Sequence, residues 1–135
     1  MKVFFYGLFM DADLLAKKGI TPQGAVVAHV DGFSLRIGER ATLLRAAGAR
    51  TYGVIMEITP SEAMDLYSES SVADYVAEQV VSELVDGSKV EASCFILPHN
   101  KVTGTNKDYA EALSQVAHKL GLPENYIAEI KRACD

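Results

Sequence analysis

Among the side chains of this sequence that could perform chemistry, the carboxylate of Glu69 has the most suggestive position. It follows Leu66 by three residues, which places it on the face that the helix predicted from Pro60 would bury. It also falls where that helix is expected to end, and a helix C-terminus disfavours a negative charge. A carboxyl group in such a place is suited to general acid–base catalysis. The alternative is a solvated glutamate at a helix end.

A second feature that could perform chemistry is the segment of residues 3–10. Its first residues are β-branched or aromatic, as in a short buried strand, and the pattern stops at Gly7. A glycine at this point can adopt a positive φ or let another group approach the backbone closely. The N–H groups that follow it are then expected to lack ladder partners and to bind a carboxylate or a polarised carbonyl. The alternative is a buried first strand that ends in an ordinary turn.

The other reactive residue types do not indicate metal, nucleotide or thiol chemistry. No Gly-rich phosphate motif and no nucleophile elbow is present. Cys94 alternates with apolar residues along one strand face and is predicted to be a core residue; with Cys134 it forms neither a metal spacing nor a disulfide framework. We therefore expect a reducing, cytoplasmic location. No two of the three histidines share metal-ligand spacing, and each is expected to be structural or solvated: His29, His99 and His118.

The elements that must position these residues begin with strands. After the first strand, a short helix is predicted over residues 14–18, with Asp11 or Asp13 as its N-cap. Alternating apolar residues then predict strands over residues 24–30, 33–37, 41–44 and 51–58. Asp31-Gly32 is expected to be a hairpin turn between the first two of these, and residues 46–48 are expected to form a loop.

The second half of the chain carries the clearest local signals. Thr59-Pro60-Ser61-Glu62 predicts a helix start, because it combines a capping box with proline at the first helical position. A long hairpin is predicted over residues 75–97 around Asp86-Gly87. Two helices are predicted at the end of the chain, over residues 107–120 and from Pro123 onward. We therefore predict an α+β fold, with a small mixed β-barrel-like sheet and flanking helices.

Length and composition limit the class of protein. A chain of 135 residues is expected to form one domain, residues 1–135, with a substantial core. The formal net charge is −5 and the basic residues are scattered, so a nucleic-acid partner is not expected. No apolar run is long enough for a membrane span, and no signal peptide is recognisable at the N-terminus. Neither a monomer nor a homodimer is favoured.

Several of these segments resemble, in order and spacing, motifs of the gamma-glutamylcyclotransferase-like family. Tyr6-Gly7 followed by Phe9 resembles its Tyr-Gly-Ser/Thr-Leu motif, and Leu66-Tyr67-Ser68-Glu69 is similar to its Leu-Asp-x-x-Glu-Gly segment. The resemblance continues through residues 52–57, through Tyr75, Val80 and Asp86-Gly87, and through the Gly-Leu-Pro segment of residues 120–126.

The resemblance implies a lyase that cyclises a gamma-glutamyl amine or amino acid to 5-oxoproline and releases the amine. In such an enzyme Glu69 would be the general acid–base, and Tyr6, Gly7, Leu8, Phe9 and Tyr75 would bind the substrate. The partner would be a small gamma-glutamyl molecule. The chemistry requires no metal and no cofactor.

The sequence also departs from the family pattern. Leu8 replaces the Ser or Thr of the first motif, Ser70 replaces the glycine that follows the glutamate, and Tyr67 occupies a position that is usually acidic. Backbone N–H donors survive the loss of a hydroxyl, so the loop could still hold a substrate. A non-catalytic small-molecule-binding or regulatory domain on the same fold therefore remains the alternative, and the sequence does not identify the amine half of the substrate.

Overall fold

In the computed structural model, which describes residues 1–134, five strands close into a barrel. The strands are β1 (Lys2–Phe5), β2 (Gln23–Ile37), β3 (Ala41–Glu57), β4 (Val76–Leu84) and β5 (Lys89–Ile96), and their order is β1-β3-β2-β4-β5. The β1–β5 pair, which closes the barrel, is parallel, whereas the other pairs are antiparallel. The described helices are α1 (Ala12–Lys17), α2 (Pro60–Leu66), α3 (Lys107–Lys119) and α4 (Glu124–Arg132), with short 3-10 helices at Leu8–Met10 and His99–Lys101. The predicted α+β class with a mixed barrel-like sheet is confirmed.

The long hairpin of β2 and β3 differs from the prediction. Strand β2 runs through Asp31 and Gly32 without reversing, so the predicted hairpin turn there is wrong. Gly32 has a φ of +86°, and the register with β3 shifts between Asp31 and Phe33. A positive φ serves a bulge as well as a turn, and here Asp-Gly makes a bulge within one strand. The chain reverses instead at residues 38–40.

The register shift in β2 is matched by extra, unpaired residues in β3. Arg50 pairs with Asp31 and Arg45 pairs with Phe33, so residues 46–49 lie opposite Gly32 alone. The loop predicted over residues 46–48 is therefore a bulge within a continuous strand. Extra residues in one strand bend it and increase its twist, which helps a five-stranded sheet to close.

The local signals in the rest of the chain are confirmed. Thr59 caps α2 and the Glu62 side chain returns to the Thr59 N–H, which completes the capping box. Asp11 caps α1, and Gly87 lies in the turn of the β4–β5 hairpin with a φ of +89°. Cys94 is fully buried in the core, as predicted.

The apolar core fills the barrel and extends to the helices outside it. Phe4 on β1 and Met56 on β3 are almost completely buried, as are Leu113 on α3 and Ile130 on α4. These residues belong to one continuous hydrophobic cluster. Because the core supports both the end of β1 and the start of α3, it fixes the relative position of the segments that form the candidate site.

Candidate active site

A cavity of about 280 Å³ lies where β1 and β5 end and β3 begins. Aromatic side chains make up most of its wall. All six site residues predicted from the sequence line it: Tyr6, Gly7, Leu8, Phe9, Glu69 and Tyr75. Tertiary folding thus brings the segment after β1 together with Glu69 and Tyr75, which lie sixty or more positions further along the chain.

Glu69 lies at the edge of this cavity, in a setting that differs from the predicted one. Helix α2 ends at Leu66 with Tyr67 as its C-cap, so Glu69 falls in the turn beyond the helix and not on its buried face. Its side chain is 46% exposed, and its Oε1 accepts a hydrogen bond from the Lys18 Nζ at 2.8 Å. The Ser68 N–H donates to the Asp65 carbonyl, three residues back and not four, so the α-helical hydrogen-bond pattern has ended before Glu69. Among the residues that line the cavity, Glu69 is the sole carboxylate.

The segment after β1 also differs in detail from the prediction. Gly7 has a φ of −104°, so it is not required for a left-handed conformation. It is required for space, because a Cβ at this position would lie 2.7 Å from the hydroxyl oxygen of Tyr109. That hydroxyl accepts the Leu8 N–H at 3.2 Å, which occupies one of the main-chain donors expected to be open. No partner within residues 1–134 accepts the N–H of Gly7 or Phe9.

The phenol groups of the cavity are tied to the main chain. The Tyr6 hydroxyl donates to the Phe95 carbonyl at 2.6 Å, and the Tyr75 hydroxyl donates to the Ala41 carbonyl. Burial raises the pKa of Tyr6 well above its ordinary value and also raises the pKa of Tyr75 and Tyr109. These side chains are therefore neutral at physiological pH and act as hydrogen-bonding groups with apolar faces.

Tyr67 organises the aromatic wall. Its ring stacks on Phe95, with centroids 4.0 Å apart and an interplanar angle of 13°, and meets the edge of Phe9 at 5.9 Å. Phe9 in turn makes an edge contact with Phe5 at 6.2 Å. Edge-to-face and offset-stacked arrangements are the favoured geometries of aromatic pairs. The Tyr67 side chain, at a position where the resembled family has an acidic residue, thus has a packing role here.

The cavity residues that were not predicted from the sequence include two cations and a further tyrosine, namely Lys18, Arg40 and Tyr109. Lys18 follows α1, Arg40 lies in the turn between β2 and β3, and Tyr109 lies in the first turn of α3. No local motif marks them, because each reaches the cavity from a different element. The one available signal is that Asn106 caps α3 through the Tyr109 N–H, which fixes where that tyrosine falls on the helix.

The histidines lie away from this cavity. The His29 Nε2 is 3.4 Å from Glu83 on the neighbouring strand, His118 lies on the exposed side of α3, and His99 is in a 3-10 helix. Within residues 1–134, no three His, Cys, Asp or Glu side chains are gathered as a metal site would require. In the same part of the chain, no helix has the length and apolar character needed to cross a membrane.

Solved structures share this architecture. A structure described as gamma-glutamyl cyclotransferase superimposes with a TM-score of 0.76 at 17% identity, covering 99% of this chain and 87% of the other. An uncharacterized protein from Homo sapiens gives 0.75 at 19% identity over 99% and 87% of the two chains. YkqA from Bacillus subtilis gives 0.76 at 24% identity, over 98% of this chain and 53% of YkqA. At these identities the likeness establishes a shared fold, that of gamma-glutamyl cyclotransferase.

The family is identified by sequence comparison. The AIG2-like family matches residues 50–130, which include β4, β5, α2 and most of the two C-terminal helices. The chain belongs to the AIG2-like family. No curated protein matches it significantly in sequence.

Proposed function

We propose that this protein is a gamma-glutamylcyclotransferase-type lyase, which converts a gamma-glutamyl amine or amino acid to 5-oxoproline and the free amine. The observation that carries the proposal is the position of Glu69. It provides the sole carboxylate at an aromatic cavity that the segment of residues 6–9 also lines. The family membership and the shared fold support the same class of reaction.

The reaction makes modest demands on a protein because its nucleophile is already part of the substrate. The α-amino nitrogen attacks the γ-carbonyl carbon of the same molecule, and the bond from that carbon to the amide nitrogen breaks. A site that folds the substrate into a near-attack conformation gains an effective molarity of up to ~10⁵–10⁸ M. A cavity of about 280 Å³ with rigid aromatic walls is suited to holding such a folded glutamyl group.

Proton transfer is the part of the reaction that requires a titratable side chain. A free α-amino group has a pKa near ~8, so it is mostly ammonium at neutral pH and must lose a proton before attack. In the proposed mechanism Glu69 takes this proton and then delivers one to the departing nitrogen. Its Oε1 is bonded to Lys18, whereas its Oε2 has no partner within the described residues, so we assign the proton transfers to Oε2.

The remaining contacts are assigned to the segment after β1 and to the two tyrosines. The N–H groups of Gly7 and Phe9 are the donors proposed to stabilise the substrate carboxylate or the developing oxyanion, since the Leu8 N–H is already bound to Tyr109. The hydroxyls of Tyr6 and Tyr75 donate to main-chain carbonyls, but their oxygens can still accept hydrogen bonds from the substrate ammonium group. Leu8 and Phe9 would contribute apolar contacts.

The proposal is tested by incubating the purified protein with a panel of gamma-glutamyl amines and amino acids and measuring 5-oxoproline by mass spectrometry. We expect product from at least one member of the panel, with no metal added. The matched control is the same substrate with an acetylated α-amino group, which cannot cyclise and must give no product. The absence of product across the panel, from protein shown to be folded, would contradict the proposal.

The second candidate function is a non-catalytic small-molecule-binding or regulatory domain. The observation that favours it is that two groups expected to act on the substrate already have protein partners. The Glu69 carboxylate binds Lys18, and the Leu8 N–H binds the Tyr109 hydroxyl. Calorimetry separates the two functions, because a binding domain would take up gamma-glutamyl ligands and leave them chemically unchanged.

A further inference from the structure

Arg40 lies where two cavities of the structure meet. It lines the aromatic cavity, and it also lines a smaller cavity of about 160 Å³ that the segment of residues 101–103 borders. Ser71 is the other residue common to both cavities. The two spaces therefore adjoin at Arg40 and Ser71, and a ligand that extends beyond the aromatic cavity has the smaller one beside it.

Within residues 1–134, Arg40 makes no ion pair, although two carboxylates, Glu39 and Asp74, line the smaller cavity with it. The other cations at the two cavities both have partners, Lys18 with Glu69 at 2.8 Å and Lys101 with Asp74 at 3.4 Å. Arg40 forms no ion pair with any residue in the described part of the chain, residues 1–134. The adjacent Glu39 does not neutralise it, because the Glu39 carboxylate lies against Gly104 in the neighbouring loop.

The guanidinium of Arg40 nevertheless acts on the aromatic cavity. Burial raises the pKa of Tyr75 and of Tyr109, and the positive charge of Arg40 opposes that rise at both hydroxyls. Arg40 lines the aromatic cavity together with both tyrosines while the residue stays exposed, a combination that leaves the guanidinium accessible to a ligand.

Building on the proposed function, we propose that Arg40 binds a carboxylate on the leaving amine, so that the substrates are gamma-glutamyl amino acids and not simple gamma-glutamyl amines. The α-amino group and γ-carbonyl must lie against Glu69, the sole carboxylate of the aromatic cavity. The part of the substrate beyond the scissile amide then continues towards the smaller cavity, which begins at Arg40. The planar guanidinium can bind a carboxylate there through two parallel hydrogen bonds.

The test compares two substrates that differ only in the carboxylate of the leaving group, gamma-glutamyl-alanine and gamma-glutamyl-alaninamide. We expect the wild-type protein to show a kcat/KM at least ~10-fold higher for the acid, within the range of a charge-assisted hydrogen bond. Arg40→Gln should bring the ratio of the two values close to unity, and Arg40→Lys should give an intermediate ratio. The matched control is Arg45→Gln, since Arg45 pairs with Glu78 on the barrel surface and lines neither cavity.

Two results would overturn the assignment of Arg40 while the proposed function stands. The first is equal kcat/KM for the acid and the amide in the wild-type protein. The second is an equal loss on both substrates in Arg40→Gln, which would place Arg40 on the glutamyl half. If neither substrate is turned over, the panel of gamma-glutamyl compounds still decides the proposed function, and calorimetric affinities for the same two molecules decide on Arg40. If the wild-type protein binds the acid more tightly than the amide and Arg40→Gln abolishes this difference, the role of Arg40 in ligand recognition is supported. Equal affinities for the two molecules overturn that role.

Discussion

The ammonium group of Lys18 lies 2.8 Å from the Oε1 of Glu69, so the end of α1 and the turn after α2 are joined at the cavity that both residues line. Both side chains are partly exposed, and exposed ion pairs contribute only ~0.2–1 kcal/mol to stability. The consequence of this pair for the fold is therefore small. Its consequence for Glu69 is positional, because it selects one orientation of a flexible side chain at the mouth of the cavity.

Removing the Lys18 ammonium group should affect turnover more than stability. We expect Lys18→Met to lower kcat by up to ~5-fold, since an exposed pair of this kind contributes no more than ~1 kcal/mol to holding the carboxylate. Salt screens the Lys18–Glu69 pair of the wild-type protein and so should lower its turnover. The variant has no such pair, and its turnover should therefore depend less on salt. Steady-state kinetics at two ionic strengths check this. Lys17→Met is the control, since Lys17 is exposed at the end of α1 and does not line the cavity. An equal effect of both variants would contradict the positional role.

Glu69→Gln should abolish turnover and leave the protein folded. The amide keeps the size of the side chain but cannot exchange a proton at neutral pH, so a loss of ~10²–10⁴-fold in kcat is expected for a sole general acid–base. The melting temperature should change by no more than a few degrees, because the side chain is about half exposed and its ion pair is weak. Turnover, ligand binding and thermal melts are measured on one preparation. Glu91→Gln, on the exposed face of β5, provides the control, and retained turnover in Glu69→Gln would end the catalytic assignment.

Gly7→Ala should damage the site through a clash with one hydroxyl group. Its Cβ would lie 2.7 Å from the Tyr109 oxygen, whereas its next contacts, with the Ala41 Cβ at 3.7 Å and the Tyr109 Cζ at 3.9 Å, are ordinary. We expect a loss of ~1–3 kcal/mol in the free energy of unfolding, as for other overpacked positions. Tyr109→Phe removes the hydroxyl and with it the clash. The double variant should therefore lose less free energy of unfolding than the sum of the losses in the two single variants. Urea unfolding of the four proteins measures this coupling, and simple additivity would contradict the clash.

The protein should become less stable as the pH rises above neutrality. Burial raises the pKa of the Cys94 thiol to about 12. In the unfolded chain the thiol ionises near pH ~8.5, so the unfolded state loses its proton first and unfolding becomes more favourable above that pH. The buried tyrosines of the cavity act in the same direction near pH ~10, because burial raises their pKa as well. Urea unfolding between pH ~8 and pH ~10 should show a falling free energy of unfolding, and Cys94→Ala should flatten the first part of the decline.

The sequence identified the local structure wherever the signal was itself local. The capping box at Thr59 and Glu62, the Asp86-Gly87 turn and the glycine stop after α3 depend on hydrogen bonds and dihedral angles within a few residues. Such interactions are present in the short segment alone, so a short segment predicts them. The resemblance to a known family in addition indicated six site residues, all of which are among those that line the cavity, and the role of each is a prediction.

An Asp-Gly pair predicted a turn correctly at residues 86–87 but wrongly at Asp31-Gly32. The structure that such a pair adopts there depends on the strand that pairs with it. A positive φ at Gly32 is compatible with a turn or with a bulge, and the pairing of β2 with β3 decided for the bulge. The setting of Glu69 was predicted wrongly, although α2 ends close to where the sequence indicated. The helix stops at Leu66, so Glu69 is exposed and free to meet Lys18, and the predicted burial of that carboxylate did not occur.

What the sequence determined by itself was therefore the inventory of strands, caps and helices and the identity of the one carboxylate worth testing. Tertiary structure decided that Gly7 is needed to leave room for Tyr109, that Lys18 binds Glu69, and that Arg40 borders two cavities. The first two of these contacts join residues 102 and 51 positions apart, and Arg40 reaches the cavities from a turn that no periodic pattern relates to their other walls. Such contacts form only when the barrel closes and the helices pack on it, because chain proximity contributes nothing to bringing them together.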